Sequence, residues 1–350
     1  MSDLLVTYAR ELLAIPSVSG EEKAIADYVV AQLSSKANWR VDRVGDTIIA
    51  QRDGKVGARI LLCGHLDTVP GDPHIDEDDE AFYGLGSCDM KGGLAVMLAL
   101  ADREYASALT LVFYPCEEVA FDRNGLHSLS PSWEAMVADH DLAVLLEPTD
   151  GVVELGCQGT LRMRFELMGA RAHTSRPWMG QNAIDRLGVV LERASEFERR
   201  SPVLGRVSFQ ESLSPVRVES FVANNVVPDE AKLWINYRFA PDLTTAEAQA
   251  RLLAWFKPVL GENDIVVLED GAAGARPVSS GFEGLIDAAG QPKAKLGWTD
   301  VSFLASLGLP SVNYGPGEPL LAHSGHERLV KSALATTLET LSEWILSQAG

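Results

Sequence analysis

Apolar positions along this chain change rhythm three times, and each change marks a different kind of element. Ile25, Val29 and Leu33 recur on one helical face, and the spacing predicts helices over 3–14 and 20–35. Ser19 and Glu22 make a Ser-x-x-Glu capping box at the start of the second. Short strands come next, near 40–52. The unbroken apolar run from Ala58 to Cys63 predicts a buried strand that delivers His65 just past its C-terminal end. Asp89 then opens a helix to about Asp102, carried by the apolar run Leu94 to Leu100. Ala108–Tyr114 and Asp141–Leu146 are two more buried strands, ending at Glu117/Glu118 and at Glu147. Strands alternating with helices predict an α/β sheet, and such sheets bind ligands outside their strand C-termini.

After about Gly156 the rhythm becomes the strict alternation of half-exposed strands, first in Leu161 to Leu167. A helix over about 181–198, alternating segments near 206–212, 215–222 and 230–240, a helix near 244–257 and a strand near 264–268 complete a β-α-β-β-α-β order with one more strand in the middle at most. That order predicts a small sheet with both helices on one face. The polar edge from Val207 to Ser212 is placed to pair with a second copy of the chain. From Gly274 the α/β rhythm returns, with a strand over 310–315 ahead of His323. The expectation is a catalytic domain over 1–158 and 273–350 with a small α+β domain inserted at 159–272.

Length, composition and charge narrow the function. A chain of 350 residues, 46% hydrophobic and 23% charged, is ordinary for a globular protein of about two domains. No apolar stretch reaches the roughly 18 residues of a membrane span, and the start Met1-Ser2-Asp3-Leu4 lacks signal-peptide features, which points to the cytoplasm. The net charge of −19 argues against nucleic acid or an anionic membrane as partner. Asp72 and the run from Asp76 to Glu80 read as a solvated hairpin loop. Cys63, Cys88, Cys116 and Cys157 form no CxxC pair and read as small buried hydrophobes.

The chemistry lies at the strand ends. Two divalent cations that share a bridging carboxylate need about two terminal ligands each, one bridge and one unligated carboxylate as base. His65, Asp89, Glu117, Glu118, Glu147 and His323 fill that inventory. Asp67, two residues after His65, is placed to accept from the second imidazole nitrogen and fix the tautomer. Asp89 at a helix N-terminus gains from the helix dipole. His74, His127, His140 and His326 have no comparable setting and read as surface or packing residues.

Gly64-His65-Leu66-Asp67-Thr68-Val69-Pro70, Gly86-Ser87-Cys88-Asp89-Met90-Lys91-Gly92-Gly93 and Cys116-Glu117-Glu118 together resemble the signature segments of the M20 family of dizinc amidohydrolases. So do Leu146-Glu147-Pro148, Gly169-Ala170-Arg171-Ala172-His173 and Asn225-Val226-Val227-Pro228. The resemblance implies a mixed-sheet, zinc-exopeptidase-like catalytic domain with an inserted ferredoxin-like lid that dimerises through a strand edge. It implies two zinc ions, with cobalt or manganese as substitutes: His65 and Glu147 on one, Glu118 and His323 on the other, and Asp89 bridging. Glu117 would be the general base. His173 would stabilise the oxyanion in the partner subunit's site, and a cis peptide would follow Asp89. Arg238 and Asn225 match substrate-contacting positions, and Arg176 beside His173 is a further candidate. The implied reaction is hydrolysis of an N-acyl amide, foremost that of N-succinyl-LL-diaminopimelate. An acetylornithine-type deacetylase, a metallocarboxypeptidase or dipeptidase, and a catalytically silent scaffold are the alternatives. Cys157 stands where some members carry arginine, and Gly297-Trp298-Thr299-Asp300 stands where others carry Gly-Thr-Ser-Asp.

Overall fold

The computed structural model describes residues 2–119, 121–128 and 131–349. Its residues group into two compact units: 1–156, 277–293 and 300–350 in the first, and 157–276 with 294–299 in the second. The tract 294–299, which the sequence pattern assigns to the catalytic part, belongs to the second unit.

The first unit is built on a mixed sheet. Its strands run, in spatial order, Arg40–Val44, Thr47–Arg52, Ala108–Tyr114, Arg59–His65, Leu142–Leu145, Ser311–Asn313 and Glu154–Leu155. The four central members of that order, from Ala108–Tyr114 to Ser311–Asn313, are parallel to one another. They are buried almost throughout because helices cover both faces of such a sheet. Register fixes where the strands stop: His65 lies opposite Tyr114, and Cys63 opposite Leu145. The loops beyond these strands therefore all open at one edge of the sheet.

The helix Gly92–Ala101 has all ten residues buried. Two glycines, one on this helix and one beyond the strand Ser311–Asn313, permit close backbone approaches. A Cβ at Gly93 would lie 2.3 Å from the Leu146 carbonyl oxygen, and one at Gly315 would lie 2.5 Å from the carbonyl oxygens of both Leu146 and Glu147. The backbone bearing Glu147 is thus gripped from two sides. Asp89 itself lies outside this helix, in the turn Ser87–Lys91, with φ −121° and ψ 97°. The expected support from the helix dipole gives way to turn geometry. The acidic run folds as a hairpin pairing Asp76–Glu77 with Ala81–Tyr83, with Glu77 held by Arg10 and Lys331.

The capping box is not formed. The helix starts at Lys23, and no side chain caps it. Ser19 and Glu22 have longer-range partners, which compete successfully for the same oxygens: Ser19 Oγ donates to Asp67 Oδ2 (2.7 Å), and Glu22 Oε1 accepts from the backbone N–H groups of Gly20 (2.8 Å) and Cys116 (3.0 Å).

The second unit is a four-stranded antiparallel sheet in the order Ser212–Glu219, Glu230–Phe239, Gly159–Met168, Ile265–Ala272. Helices Ala183–Ser195 and Thr245–Phe256 pack on one face, through a core that includes Leu161, Phe165, Leu233, Tyr237, Leu187 and Phe256. The order and the single helical face are those of a ferredoxin-like fold. The sheet's edge strands are Ser212–Glu219 and Ile265–Ala272, whereas Val207–Ser208 pairs with Val203–Leu204 in a separate hairpin. The edge expected at Val207 to Ser212 is therefore displaced toward the next strand, because the short hairpin satisfies the earlier backbone groups.

Adding a methyl group tests the close approaches. Gly93→Ala should destabilise the protein by about 1–3 kcal/mol through overpacking. Gly188 sits in the helix Ala183–Ser195, where an added Cβ would meet nothing within 4 Å, and alanine there should stabilise by about 0.5–1 kcal/mol. Urea unfolding of both variants measures the contrast; equal effects would contradict the packing described.

Candidate metal centre

The strand-end residues converge. His65, Asp89 and Glu147 place one ligand atom each within 4.8 Å of one another; so do Asp89, Glu118 and His323, and His65, Glu117 and Glu118. Asp89 belongs to two of these groups and addresses two imidazoles with different oxygens. Its Oδ1 lies 3.1 Å from His65 Nε2, and its Oδ2 lies 3.4 Å from His323 Nε2. His323 Nε2 is also 2.6 Å from Glu118 Oε1. The peptide between Asp89 and Met90 is cis.

The ring of His65 is oriented from behind. Its Nδ1 lies 3.0 Å from the backbone carbonyl oxygen of Asp67 and 3.5 Å from the Asp67 carboxylate, so the carbonyl is the closer acceptor. A proton held at Nδ1 leaves Nε2 to act as a ligand. The Asp67 carboxylate has a second task besides facing His65 Nδ1. Its Oδ1 accepts from the backbone N–H of Glu117 (3.0 Å), and its Oδ2 from that of Glu118 (3.1 Å) and from Ser19 Oγ. Burial opposes the charge of Asp67, yet the His65 imidazole, Ser19 and the Glu117 N–H hold its carboxyl at about 2. One buried anion thereby fixes the turn that presents both glutamates.

Two backbone positions at the site are unusual. Cys116 and His323 both have φ 61°, in the left-handed region that non-glycine residues seldom occupy. Cys116 is held there by the Glu22 carboxylate on its N–H. His323 is held by Glu327, whose Oε1 accepts from the His323 N–H (3.2 Å) while its Oε2 accepts from the Gly86 N–H (2.9 Å). Glu327 is buried and so ties the His323 loop to the turn carrying Asp89.

The charges explain the unusual proton affinities. Burial pushes Glu117 well above the usual carboxylate range; nearby His65 pulls the other way, while Glu147, Asp300 and Glu118 add to the rise. His323 is raised to about 10 by its bonds to Asp89 and Glu118. His65 also rises, although burial alone would lower it, because Asp67 and Asp89 outweigh burial. Two imidazoles stand among five carboxylates at Asp67, Asp89, Glu117, Glu118 and Glu147. A donor set of mixed imidazole and carboxylate, with one carboxylate spanning both halves, fits a pair of divalent cations that displace the imidazole protons.

Three residues that the sequence pattern did not assign to the site support this set: Ser19, Glu22 and Glu327. His127, read from the sequence as a surface or packing residue, is half-buried and packed. Its Nε2 lies 2.6 Å from Asp300 Oδ1, its ring lies 4.4 Å from that of Phe303, and Asn124 donates to Asp300 Oδ2. His140 packs against Met136 and Thr110, while His74 and His326 are exposed. All four cysteines are buried thiols, and none joins a ligand group among the described residues.

The other candidate residues belong to the second unit. His173 is exposed, and its Nδ1 accepts from the Ser175 N–H (3.1 Å), so a neutral ring carries its proton on Nε2. Asn225 is exposed, with its carbonyl oxygen accepting from the Thr174 N–H. Arg176 is exposed and Arg238 half-buried; neither side chain forms an ion pair among the described residues. The one indole N–H of Trp298 donates to the Ala273 carbonyl oxygen (3.0 Å), and Cys157 Sγ faces the Thr299 carbonyl.

Comparison with known proteins agrees with the fold. The model of peptidase family M20/M25/M40 matches residues 61–347. A Mycobacterium tuberculosis protein bearing the desuccinylase name DapE is 43% identical over 346 residues, covering 95% of this chain and 96% of its own. A succinyl-diaminopimelate desuccinylase from Corynebacterium glutamicum is 37% identical over 360 residues, covering 97% of this chain and 95% of its own. Among solved structures, a dinuclear metal-binding M20 peptidase from Bacillus subtilis matches with a TM-score of 0.73 at 15% identity, over 99% of this chain and 98% of the other. The chain belongs to the M20 peptidase family and is a hydrolase of amide bonds.

Glu327 gives the first test of the centre. Glu327→Ala should free both the His323 and the Asp89 loops and weaken divalent-cation binding by about 10–100-fold, the usual cost of losing an outer-layer partner. Calorimetric titration with zinc reads this directly, and unchanged affinity would leave Glu327 without a part in the centre.

Proposed function

We propose that this protein is a two-metal amidohydrolase that removes the succinyl group from N-succinyl-LL-diaminopimelate. The observation that carries the reading is Asp89, whose two oxygens address His65 and His323 separately. His65 and Glu147 would hold one cation, Glu118 and His323 the other, with Asp89 between them. Zinc suits that mixed donor set, and cobalt or manganese can substitute. Cations bound there polarise a carbonyl and lower the pKa of water. The substrate assignment is supported by the desuccinylase names of relatives at 43% and 37% identity, and by the absence of an ion pair on Arg238 and Arg176 among the described residues, which leaves both to meet carboxylates.

The chain's own residues supply the proton handling. Glu117 takes the proton of the attacking water and returns it to the leaving amine. Asp67 fixes the backbone of the turn that presents both glutamates, of which Glu118 would hold metal while Glu117 serves as the base. His173, with its Nε2 proton directed away from Ser175, is equipped to donate to an oxyanion, and its role is assigned to the site of a second copy. The edge Ser212–Glu219 and the adjacent Phe221 would make that copy's contact, since Val216, Val218 and Phe221 are 57%, 50% and 76% exposed there.

The test is hydrolysis of N-succinyl-LL-diaminopimelate against N-acetylornithine by zinc-loaded protein that sediments as a dimer, with an EDTA-treated control. Selective, metal-dependent cleavage of the succinyl substrate is expected. Glu117→Ala should keep its zinc and lose at least about 100-fold in kcat, the low end for a general base. His65→Ala should lose zinc. Preference for the acetyl compound would overturn the substrate, and wild-type kcat in Glu117→Ala would overturn the base.

A further inference from the structure

A second constellation lies wholly within the second unit. One end of its sheet opens on a cavity of about 360 Å³ lined by Arg199, Arg238, Gln158, Gln210, Ser201 and Ser212, with Glu211 as the one acid among its described lining residues. Register explains why these residues meet. Arg238 is paired with Ser212 on one side and Thr160 on the other, and Gln158 immediately precedes the strand that carries Thr160. All three strands therefore bring polar side chains to the same end. Gln158 is pinned by its amide, which donates to the Gln210 carbonyl oxygen at 2.6 Å.

The acid in this pocket is already neutralised. The Glu211 side chain is fully buried and accepts from the guanidiniums of Arg200 (2.5 Å) and Arg251 (2.9 Å), and from the backbone N–H groups of Arg200 and Ala240 (3.2 Å each). Arg200 also pairs with Asp242 at 2.9 Å. Around the pocket, four guanidiniums thus face two carboxylates, an excess of two positive charges in a protein of net charge −19. The excess sits on Arg199 and Arg238, which form no ion pair or side-chain hydrogen bond among the described residues.

The contrast with neighbouring arginines is informative. Arg186, Arg200 and Arg251 are each matched to a buried carboxylate, but the half-buried Arg238 is not. A cation removed from water without a counter-charge is costly. Arg199 is placed beside it by its neighbour. The backbone of Arg200 exchanges hydrogen bonds with Glu211, its N–H donating to the carboxylate and its carbonyl accepting from the Glu211 N–H at 3.1 Å. That clamp fixes the segment carrying Arg199 and Ser201 at the rim.

We propose that Arg199 joins Arg238 in a two-guanidinium seat for a ligand carboxylate, with the Gln158, Ser201 and Ser212 side chains as its polar rim. Arg199 is the new element, a specificity-determining residue that gives the seat two charges where a single arginine would give one. Paired guanidiniums favour a carboxylate-ended arm over its neutral amide because both can hydrogen-bond to the same anion. The identity of that arm as a succinyl or amino-acid carboxylate rests on the amidohydrolase reading; the seat itself rests on the pocket.

The test is calorimetric titration of the full-length, zinc-loaded protein with succinate and with succinamate, in which an amide replaces one carboxylate. Wild type should prefer succinate. Arg199→Ala should lower succinate affinity about tenfold or more, the size of one lost charge-assisted hydrogen bond, and should shrink the preference over succinamate. Arg199→Lys should recover part of it. For a hydrolysed succinyl substrate, Arg199→Ala should raise KM by a similar factor while kcat stays within about twofold. Equal succinate affinity in wild type and Arg199→Ala, or no succinate binding by wild type, overturns the proposal. A wild-type protein that hydrolyses no N-acyl amide yet binds succinate through Arg199 would overturn the proposed function and leave the seat standing.

Discussion

Too many carboxylates at one place is the constraint around which the first unit is organised. Asp67, Asp89, Glu117, Glu118 and Glu147 crowd the ends of three parallel strands, and two imidazoles are the only cations in their ligand groups among the described residues. Buried anions without compensating charge are strongly unfavourable. The fold nevertheless holds them there with considerable backbone investment: close approaches at Gly93 and Gly315, left-handed residues at Cys116 and His323, and Asp67 receiving two successive N–H groups. Such an arrangement is stable when divalent cations occupy it, and it is of chemical use for the same reason.

Three of the strand-end ligand positions are legible in the sequence because a buried parallel strand reads as an unbroken apolar run, and the end of the run locates the loop beyond it. His65, Glu118 and Glu147 fall at such ends, and register brings them together. Asp89 is legible by residue type but misplaced by element, since the same glycine-rich start serves a turn as well as a helix. Ser19 and Glu22 show a different limit. Ser-x-x-Glu is a local pattern, and whether its oxygens serve the helix or Asp67 and Cys116 depends on partners 48 and 94 residues away. Glu327 and His127 are out of reach for that reason too: each takes its meaning from a loop distant in sequence. The edge strand shifts because alternation alone does not say which of two consecutive segments pairs inward.

The second unit answers a different need. An acidic protein that acts on an acidic ligand must collect positive charge locally, and it must do so without wasting it on its own carboxylates. In this unit most buried or half-buried arginines are matched by acids, as Arg186 is by Asp264 and Arg200 by Glu211 and Asp242. Arg238 stands apart from that pattern on the sheet face opposite the helices, since its neighbours Tyr237 and Phe239 point into the helical core. The metal-ligand groups thus lie in the first unit and the proposed carboxylate seat in the second.

Everything proposed for the metal centre turns on Asp89 being shared between two cation positions. Anomalous diffraction from crystals grown with zinc tests that sharing most directly. Two peaks are expected about 3.5–4 Å apart, one beside His65 and Glu147, the other beside Glu118 and His323, with one oxygen of Asp89 on each. A single peak bound by both imidazoles, or two peaks with Asp89 on only one, would contradict it.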